Sequence, residues 1–169
     1  RAPHDAGQIV IGEAGQGASR FKEGDRVGVA WIHSACGACE HCRSGRENLC
    51  AEFRATGKDV DGGYAEFMTV GELFAHPIPD KLGDEAAAPM LCAGAIGYRS
   101  LCLTGIKNGM VLGLTGFGAS AHLVIRIARD MYPESPVYVF ARSEQQRKLA
   151  RGLGAAWTGA ISETPPQPV

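Results

Sequence analysis

The sequence predicts two regions of different fold class, a β-rich region up to residue 91 and an α/β region after it. Short apolar runs between glycine-rich turns, such as Gln8–Ile11 and Arg26–Trp31, predict a small β barrel or sandwich. In the second region, an apolar strand, a glycine loop and a helix follow one another directly, which predicts the first half of a doubly wound parallel sheet. With 169 residues, the chain has room for one ordinary domain or for parts of two.

Composition and charge limit the function classes. Apolar residues make up 45% and charged residues 21% of the chain, as in globular proteins. The net charge is −1 and no basic block occurs, so we expect no nucleic-acid partner. No run of about 18 apolar residues is present, so we expect no membrane-spanning helix. Six cysteines, four of them at metal-ligand spacing, without a signal peptide favour a cytoplasmic protein.

Four of the six cysteines are concentrated in one stretch with the spacing C-x2-C-x2-C-x7-C. They are Cys36, Cys39, Cys42 and Cys50. Four thiolates in one short loop complete a tetrahedral zinc shell and leave no position for water or substrate, which indicates a structural zinc. A disulfide pair or an iron–sulfur cluster are the alternatives for the same residues.

The remainder of the first region predicts strands and one helix start. The alternating segment Tyr64–Val70 has a β pattern. The segment Ala75–Pro79 is flanked by proline and is predicted at the edge of a sheet. Asp84 is predicted to cap a short helix over residues 85–88.

The second region predicts two strands and three helices. Its predicted helices span residues 93–103, 122–129 and 144–153, and its predicted strands span residues 110–114 and 137–140. Cys102 is predicted to pack inside its helix, as a small apolar side chain commonly does.

A glycine loop links the first of these strands to its helix. Gly116 permits the tight turn, Gly118 allows a pyrophosphate to approach the backbone, and Ala121 allows close packing of helix on strand. Together with Ala119 and Ser120, these residues are predicted to bind a dinucleotide at the N-terminus of the helix.

The end of the second strand is predicted to select the dinucleotide. Counting from Gly116 places Ala141 where an acidic residue would bind the ribose of NAD. Arg142 and Ser143 follow, and Arg147 lies about one helical turn further. A cation and a hydroxyl in the absence of an acid favour NADP over NAD; the alternative is that Arg142 is a solvated surface charge.

Four sequence blocks together resemble the zinc-dependent medium-chain alcohol dehydrogenases. They are Phe21-Lys-x-Gly-Asp-Arg-Val-Gly28, the four-cysteine loop, Asp61-Gly-Gly-Tyr-Ala-Glu66 and Leu91-Cys-Ala-Gly94. The resemblance covers nearly the whole chain. It implies a GroES-like β-barrel catalytic domain over residues 1–91, with a structural zinc lobe at 36–50, and part of a Rossmann domain over residues 92–169.

The resemblance also implies a second, catalytic zinc. Cys92 matches one of its cysteine ligands; the alternative is a small buried cysteine. His4 and Asp5 match the His-Glu pair of the family only with a one-residue deletion and an Asp in place of Glu. His4 is therefore either a ligand or an exposed terminal residue, and Asp5 is an occasional ligand or a carboxylate beside the ligands.

The implied activity is hydride transfer between an alcohol or aldehyde and NAD(P), in a protein that forms homodimers or homotetramers. The first cysteine ligand of the family would precede Arg1. We therefore expect the 169 residues to be an inactive piece of such an enzyme that lacks both ends. The rival from another class, a zinc-ribbon-like binding module, requires two separated Cys-x-x-Cys pairs.

Overall fold

The computed structural model describes residues 8–169, which fall into two compact units. The first unit ends at Cys92 and the second spans Ala93–Val169. In chain order, the elements of the first unit are β1 (Gln8–Val10), β2 (Arg26–Val29), β3 (Ile32–Ser34), α1 (Glu40–Arg43), β4 (Arg54–Ala55), β5 (Ala75–Pro77) and α2 (Asp84–Ala87), with short 3-10 turns at Glu47–Leu49, Glu72–Phe74 and Ala88–Leu91.

The first unit contains a three-stranded antiparallel sheet and a hairpin. The sheet order is β1-β2-β5, so β5 lies at an edge as predicted, and β3 pairs with β4. Val27 on the central strand is completely buried. A Cβ atom on its neighbour Gly28 would lie 2.6 Å from a Leu91 methyl carbon, so only glycine lets Leu91 pack this closely on β2.

The predicted cap at Asp84 is wrong. Gly83 is the N-cap residue of α2, and Asp84 is the first helical residue. The Asp84 carboxylate forms an ion pair with Arg26, whose guanidinium also donates to the Leu82 carbonyl at 3.0 Å. The Asp84 carboxylate therefore binds Arg26 on β2 instead of capping the helix.

The predicted strand over Tyr64–Val70 is also wrong. The segment has no regular secondary structure, Tyr64 is fully exposed and the Phe67 side chain is 89% exposed. An alternating pattern becomes a strand only when a neighbouring strand pairs with it, and none of residues 8–169 does so here. The predicted barrel remains a prediction, since the described strands form a sheet and a hairpin.

The second unit is an α/β layer structure. Its elements are α3 (Ala93–Leu103), β6 (Leu112–Thr115), α4 (Ala119–Met131), β7 (Val137–Phe140), α5 (Glu144–Gly152) and β8 (Trp157–Gly159). The three strands are parallel in the order β6-β7-β8. The predicted bounds of α3 and β7 are confirmed to the residue, whereas β8 was not predicted.

The core of the second unit lies between the sheet and its helices. Its buried residues are Leu101, Ile106, Leu112, Phe117, Ile125, Ala128, Val137, Val139, Ala141 and Ala150. Close packing of α3 on α4 depends on Gly97, where a Cβ atom would lie 2.5 Å from a Val124 methyl carbon. Gly94, Gly97 and Leu101 form the buried face of α3, and Cys102 lies off it. Cys102 is exposed, so its predicted packing is wrong.

Among the described residues, no single helix is long and apolar enough to cross a membrane. The segments Asp84–Leu91 and Ala93–Leu103 reach that length and composition only when they are counted together.

Candidate functional site

The cysteine loop connects β3 to β4 and brings its four sulfur atoms together. Cys39 precedes α1, Cys42 lies within it, and Cys50 follows the 3-10 turn at Glu47–Leu49. At the base of the loop, the rings of Trp31 and Phe53 contact each other with centroids 4.8 Å apart. All four Sγ atoms lie within 4.8 Å of one another, and Cys50 is buried.

The spacing of the sulfur atoms fits a metal rather than a disulfide. The Sγ atom of Cys42 lies 3.6 Å from that of Cys39 and 3.9 Å from that of Cys36. Zinc–sulfur bonds of 2.3 Å in a tetrahedron place the sulfurs about 3.8 Å apart, whereas a disulfide needs about 2.05 Å. None of the six cysteines forms a disulfide in the structure, which disfavours the disulfide alternative.

Backbone amides point at these sulfur atoms. The amide of Cys39 donates to Cys36 Sγ at 3.3 Å, and the amides of Cys36 and Glu52 donate to Cys50 Sγ at 3.5 and 3.4 Å. Such donors stabilise thiolates. Hydrogen bonds from the backbone of Ala38 and Cys39 lower the pKa of the Cys36 thiol to about 7.

Cys42 shows the opposite effect. Burial, followed by hydrogen bonds with Cys39 and other cysteines of the loop, raises the pKa of the Cys42 thiol to about 12. Four neighbouring sulfurs do not all ionise without a counter-charge, and a divalent cation among them supplies that charge. The donor set therefore fits a tetrahedral zinc ion with four thiolate ligands.

Two histidines accompany the cysteine loop. His33 Nδ1 lies 3.2 Å from Ser34 Oγ. The Nδ1 atom of His41 is buried and has no hydrogen-bond partner among residues 8–169. Sequence reasoning missed this unpaired nitrogen, because a His between two cysteines gives no signal of its burial.

Cys92 lies apart from the cysteine loop in the sequence and has a different environment. It is exposed, directly follows the 3-10 turn at Ala88–Leu91, and its amide donates to the Pro89 carbonyl at 3.4 Å. His4 and Asp5 lie outside the described residues. Within 8–169, groups of three or more metal-binding side chains occur only in the cysteine loop, so the ligand role of Cys92 stays a prediction.

The glycine loop forms a tight turn between β6 and α4. Gly116 has a φ of +80°, a conformation that other residues rarely adopt, and its amide donates to the Phe140 carbonyl at 2.8 Å. A Cβ atom on Gly116 or Gly118 would meet nothing within 4 Å, so the loop is open to a ligand. The first amides of α4 have no acceptor within the helix, which makes this turn suitable for a phosphate.

The turn between β7 and α5 carries the residues predicted to select the dinucleotide. Ala141 is buried, whereas Arg142 and Ser143 are exposed. The guanidinium of Arg142 has no hydrogen bond or ion pair with any part of the chain that the structure describes. No carboxylate follows β7 directly, and the nearest in sequence is Glu144.

Arg147 and Glu144 are engaged with each other and with the turn. Arg147 donates to the carbonyls of Ala141 and Arg142 at 2.6 and 3.1 Å and pairs with Glu144 at 2.8 Å. Glu144 also pairs with Arg151 at 2.5 Å. These two arginines hold the pKa of the Glu144 carboxyl below its usual range.

Comparison with known proteins gives the family. Residues 4–80 match the alcohol dehydrogenase GroES-like domain. Over 160 residues, 95% of this chain, the sequence is 48% identical to a probable alcohol dehydrogenase, AdhA, of Mycobacterium tuberculosis (strain CDC 1551 / Oshkosh), of which the match covers 45%. The chain belongs to the alcohol dehydrogenase family. The resemblance found in the sequence is thereby confirmed, and the chain spans about half the length of the curated relatives it matches.

Solved structures of similar proteins share the fold of both units. One is CAD from Helicobacter pylori complexed with NADP(H), with a TM-score of 0.79 and 30% identity over 88% of this chain and 45% of that one. Another, described as the short chain alcohol dehydrogenase rspB from E. coli CFT073 complexed with NADH, has a TM-score of 0.81 and 28% identity over 94% of this chain and 46% of that one. Both cofactor types therefore occur among similar structures.

Proposed function

We propose that the protein is a zinc-dependent dehydrogenase that transfers hydride between an alcohol and NAD(P), yielding an aldehyde or ketone. The observation that carries the proposal is the open Gly116–Gly118 turn between a parallel strand and α4, in a chain 48% identical to a probable alcohol dehydrogenase. The activity is proposed for the whole protein, because the chain spans about half the length of its relatives.

The proposal gives the two predicted metal sites different tasks. The four sulfurs of the cysteine loop would hold a structural zinc. Cys92, with His4 and Asp5, would hold the catalytic one. A zinc ion with an open position polarises a carbonyl or lowers the pKa of a bound alcohol. Cys92 would contribute one thiolate ligand to this zinc.

The glycine loop would bind and orient the dinucleotide. Gly116, Gly118 and the amides of Ala119, Ser120 and Ala121 would hold the pyrophosphate at the N-terminus of α4. A fixed pyrophosphate limits where the nicotinamide ring can lie. The chain thereby contributes to hydride transfer mainly by positioning.

We further propose that NADP is preferred over NAD. Position 141 is alanine, so no carboxylate is available there for the ribose hydroxyls. Glu144 is the nearest alternative, and both of its carboxylate oxygens are paired with arginines. Arg142 is exposed, which leaves its guanidinium available for a 2′-phosphate.

The cofactor preference is tested with Arg142→Gln in the full-length protein. We expect the KM for NADP to rise about tenfold, as for the loss of one charge-assisted contact, while the KM for NAD stays unchanged. Arg126→Gln, at an exposed position on α4, is the matched control. A wild-type preference for NAD, or an unchanged KM for NADP in Arg142→Gln, contradicts the proposal.

The wider organisation belongs to the same proposal. Residues 1–91 would form a GroES-like β-barrel domain and residues 92–169 the first half of a Rossmann domain. The whole protein would be a cytoplasmic homodimer or homotetramer acting on small alcohols or aldehydes, without nucleic-acid or membrane partners. Its mass in solution, measured by light scattering, tests the oligomeric state.

The activity itself is tested by following NAD(P)H absorbance with the full-length, zinc-loaded protein and a panel of primary and secondary alcohols. We expect alcohol-dependent reduction that a chelator abolishes. The absence of turnover with every alcohol and both dinucleotides contradicts the proposal. A binding module with a zinc ribbon is disfavoured, because the four sulfurs lie in one loop rather than in two separated pairs.

A further inference from the structure

One side chain, Arg147, folds back over the turn that follows β7. Its Nη1 atom donates to the carbonyls of Ala141 and Arg142 at 2.6 and 3.1 Å. Its Nε and Nη2 atoms contact the Glu144 carboxylate at 2.9 and 2.8 Å. The Arg147 side chain is only 18% exposed. An arginine has five N–H donors, and these contacts engage four of them.

The turn is also held from its other side. The amide of Ala141 donates to the Gly159 carbonyl of β8 at 2.9 Å. Glu144 pairs with Arg151, which donates to Thr158 Oγ1 on β8 at 2.7 Å. Two carbonyls of the turn therefore accept hydrogen bonds from Arg147 on α5, and the Ala141 amide donates to β8. These contacts fix the backbone that carries Arg142.

We propose that Arg147 is a positioning residue, which fixes the turn at residues 141–143 for the adenosine end of the dinucleotide and does not itself bind its phosphate. The inference rests on the proposed function, because it presupposes that this turn meets a dinucleotide. A guanidinium with four donors engaged has little capacity left for a phosphate, which needs a bidentate or multiple contact. Arg142 retains that capacity.

A positioning role and a phosphate-binding role for Arg147 predict different effects on the affinity for NAD. A residue that binds the 2′-phosphate affects NADP alone, since NAD lacks that group. A residue that fixes the turn affects both dinucleotides, because both place their adenosine ribose against it. Removal of Arg147 also leaves two carbonyls without their donor and allows the turn to open.

The test compares Arg147→Met with wild type in the full-length protein by titration calorimetry with NAD and with NADP. We expect the dissociation constants of both to rise by a similar factor of about ten, the loss of roughly one or two hydrogen bonds. Lys148→Met, at the exposed neighbouring position on α5, is the matched control and leaves both constants unchanged. Arg142→Gln, in contrast, weakens NADP alone.

A second readout is independent of the cofactor. In the free protein, hydrogen exchange at the amides of Ala141 and Arg147, which donate to Gly159 and Ser143, becomes faster in Arg147→Met than in wild type. Arg147→Lys keeps the charge and one donor to a carbonyl, so it restores part of the protection from exchange. It replaces Arg147→Met in this experiment if Arg147→Met does not fold. In Arg147→Met, the Glu144 carboxylate loses one of its two arginine partners and keeps Arg151. Glu144→Gln combined with Arg147→Met removes this partly unpaired charge, and both dinucleotides remain weakened.

Three results overturn the inference. If Arg147→Met weakens NADP and leaves NAD unchanged, Arg147 is a phosphate ligand. If exchange at both amides is unchanged, Arg147 does not hold the turn. If the double variant regains wild-type affinity, the loss came from the charge of Glu144 that Arg147 no longer pairs. Wild-type protein that binds neither dinucleotide is a separate result, which overturns the proposed function and this inference with it.

Discussion

The cysteine loop and the Cys92 segment obtain their predicted metal ligands in opposite ways. All four ligands of the loop lie within residues 36–50, and the fold brings their sulfurs within 4.8 Å of one another. Cys92 is exposed and joins no such group among residues 8–169, and its predicted partners His4 and Asp5 lie outside them. One site is local in sequence and the other is dispersed.

The local site and the dispersed site are suited to different tasks, which are stabilising the fold and carrying out the reaction. A loop that contains all its ligands closes a short chain segment and couples metal binding to local folding. A closed shell of four thiolates leaves no position for substrate. A site supplied from distant segments forms only once the tertiary structure is complete, and it can leave a metal position open. We therefore propose that the loop stabilises the fold and that Cys92 takes part in the reaction chemistry.

The largest expected effect is the loss of activity in Cys92→Ser. Turnover of the full-length protein should fall by more than about 100-fold, exceeding the loss from removing an outer partner of a zinc ligand. Thermal stability and the zinc of the cysteine loop should be retained. Cys102→Ser, at the other exposed cysteine, is the matched control and should keep wild-type turnover. Unchanged turnover in Cys92→Ser removes it as a ligand.

Cys36→Ser is expected to reduce stability rather than turnover. Three remaining thiolates bind zinc more weakly, so the loop should lose its metal and the melting temperature should fall by about 5 °C or more. Hydrogen exchange should increase at the amides of Cys36, Cys39 and Glu52, which donate to sulfur. Calorimetry and exchange measurements check both. Retained zinc with an unchanged melting temperature would show that the loop does not depend on its metal.

Zinc binding to the loop should strengthen as the pH rises. Zinc requires thiolates, and in the metal-free loop the pKa values of Cys36 and Cys42 are about 7 and about 12. Above the first value Cys36 has already lost its proton, whereas Cys42 releases its proton to solvent when the metal binds. We expect the apparent affinity to fall at least tenfold from about pH 8 to about pH 6, measured by competition with a chromogenic chelator. An affinity independent of pH contradicts thiolate ligation.

A smaller effect, on stability, is expected at the Glu72 carboxylate, which joins distant segments of the first unit. The amides of Ser19 and Arg20 both donate to Glu72 at 2.9 Å and lower the pKa of its carboxyl. This contact stabilises the fold fully above the ordinary glutamate pKa near 4.3. The stabilisation is lost as the pH falls through the lower folded value.

Glu72→Gln should therefore lower the melting temperature slightly at neutral pH, and the difference from wild type should vanish in acid. Glu66→Gln, at an exposed carboxylate, is the control. A difference that persists at low pH would show that packing of the Glu72 side chain, rather than its charge, stabilises the contact.

Local patterns predicted much of the fold. The apolar run Val137–Phe140 and the helix Ala93–Leu103 were predicted to the residue, because adjacent residues determine their periodicity. The cysteine spacing likewise predicted which sulfurs meet. In each case the deciding interactions lie within a short window of the chain.

Features that depend on distant partners were missed or misread. Tyr64–Val70 alternates like a strand but finds no neighbouring strand among the described residues. The strand β8 was missed because its three residues, Trp157–Gly159, are too few to show a period-2 pattern and end in a glycine. Asp84 resembles a cap but pairs with Arg26. The contacts of Arg147 with the turn at residues 141–143 required the folded backbone to be seen.

The most direct test of the account is the zinc content of the full-length protein, measured by atomic emission spectroscopy together with turnover, for wild type and Cys92→Ser. The account predicts about two zinc ions per wild-type chain, and about one per variant chain with the activity lost. A wild-type protein with a single zinc that Cys36→Ser removes without loss of turnover would contradict the division between a structural loop and a catalytic Cys92.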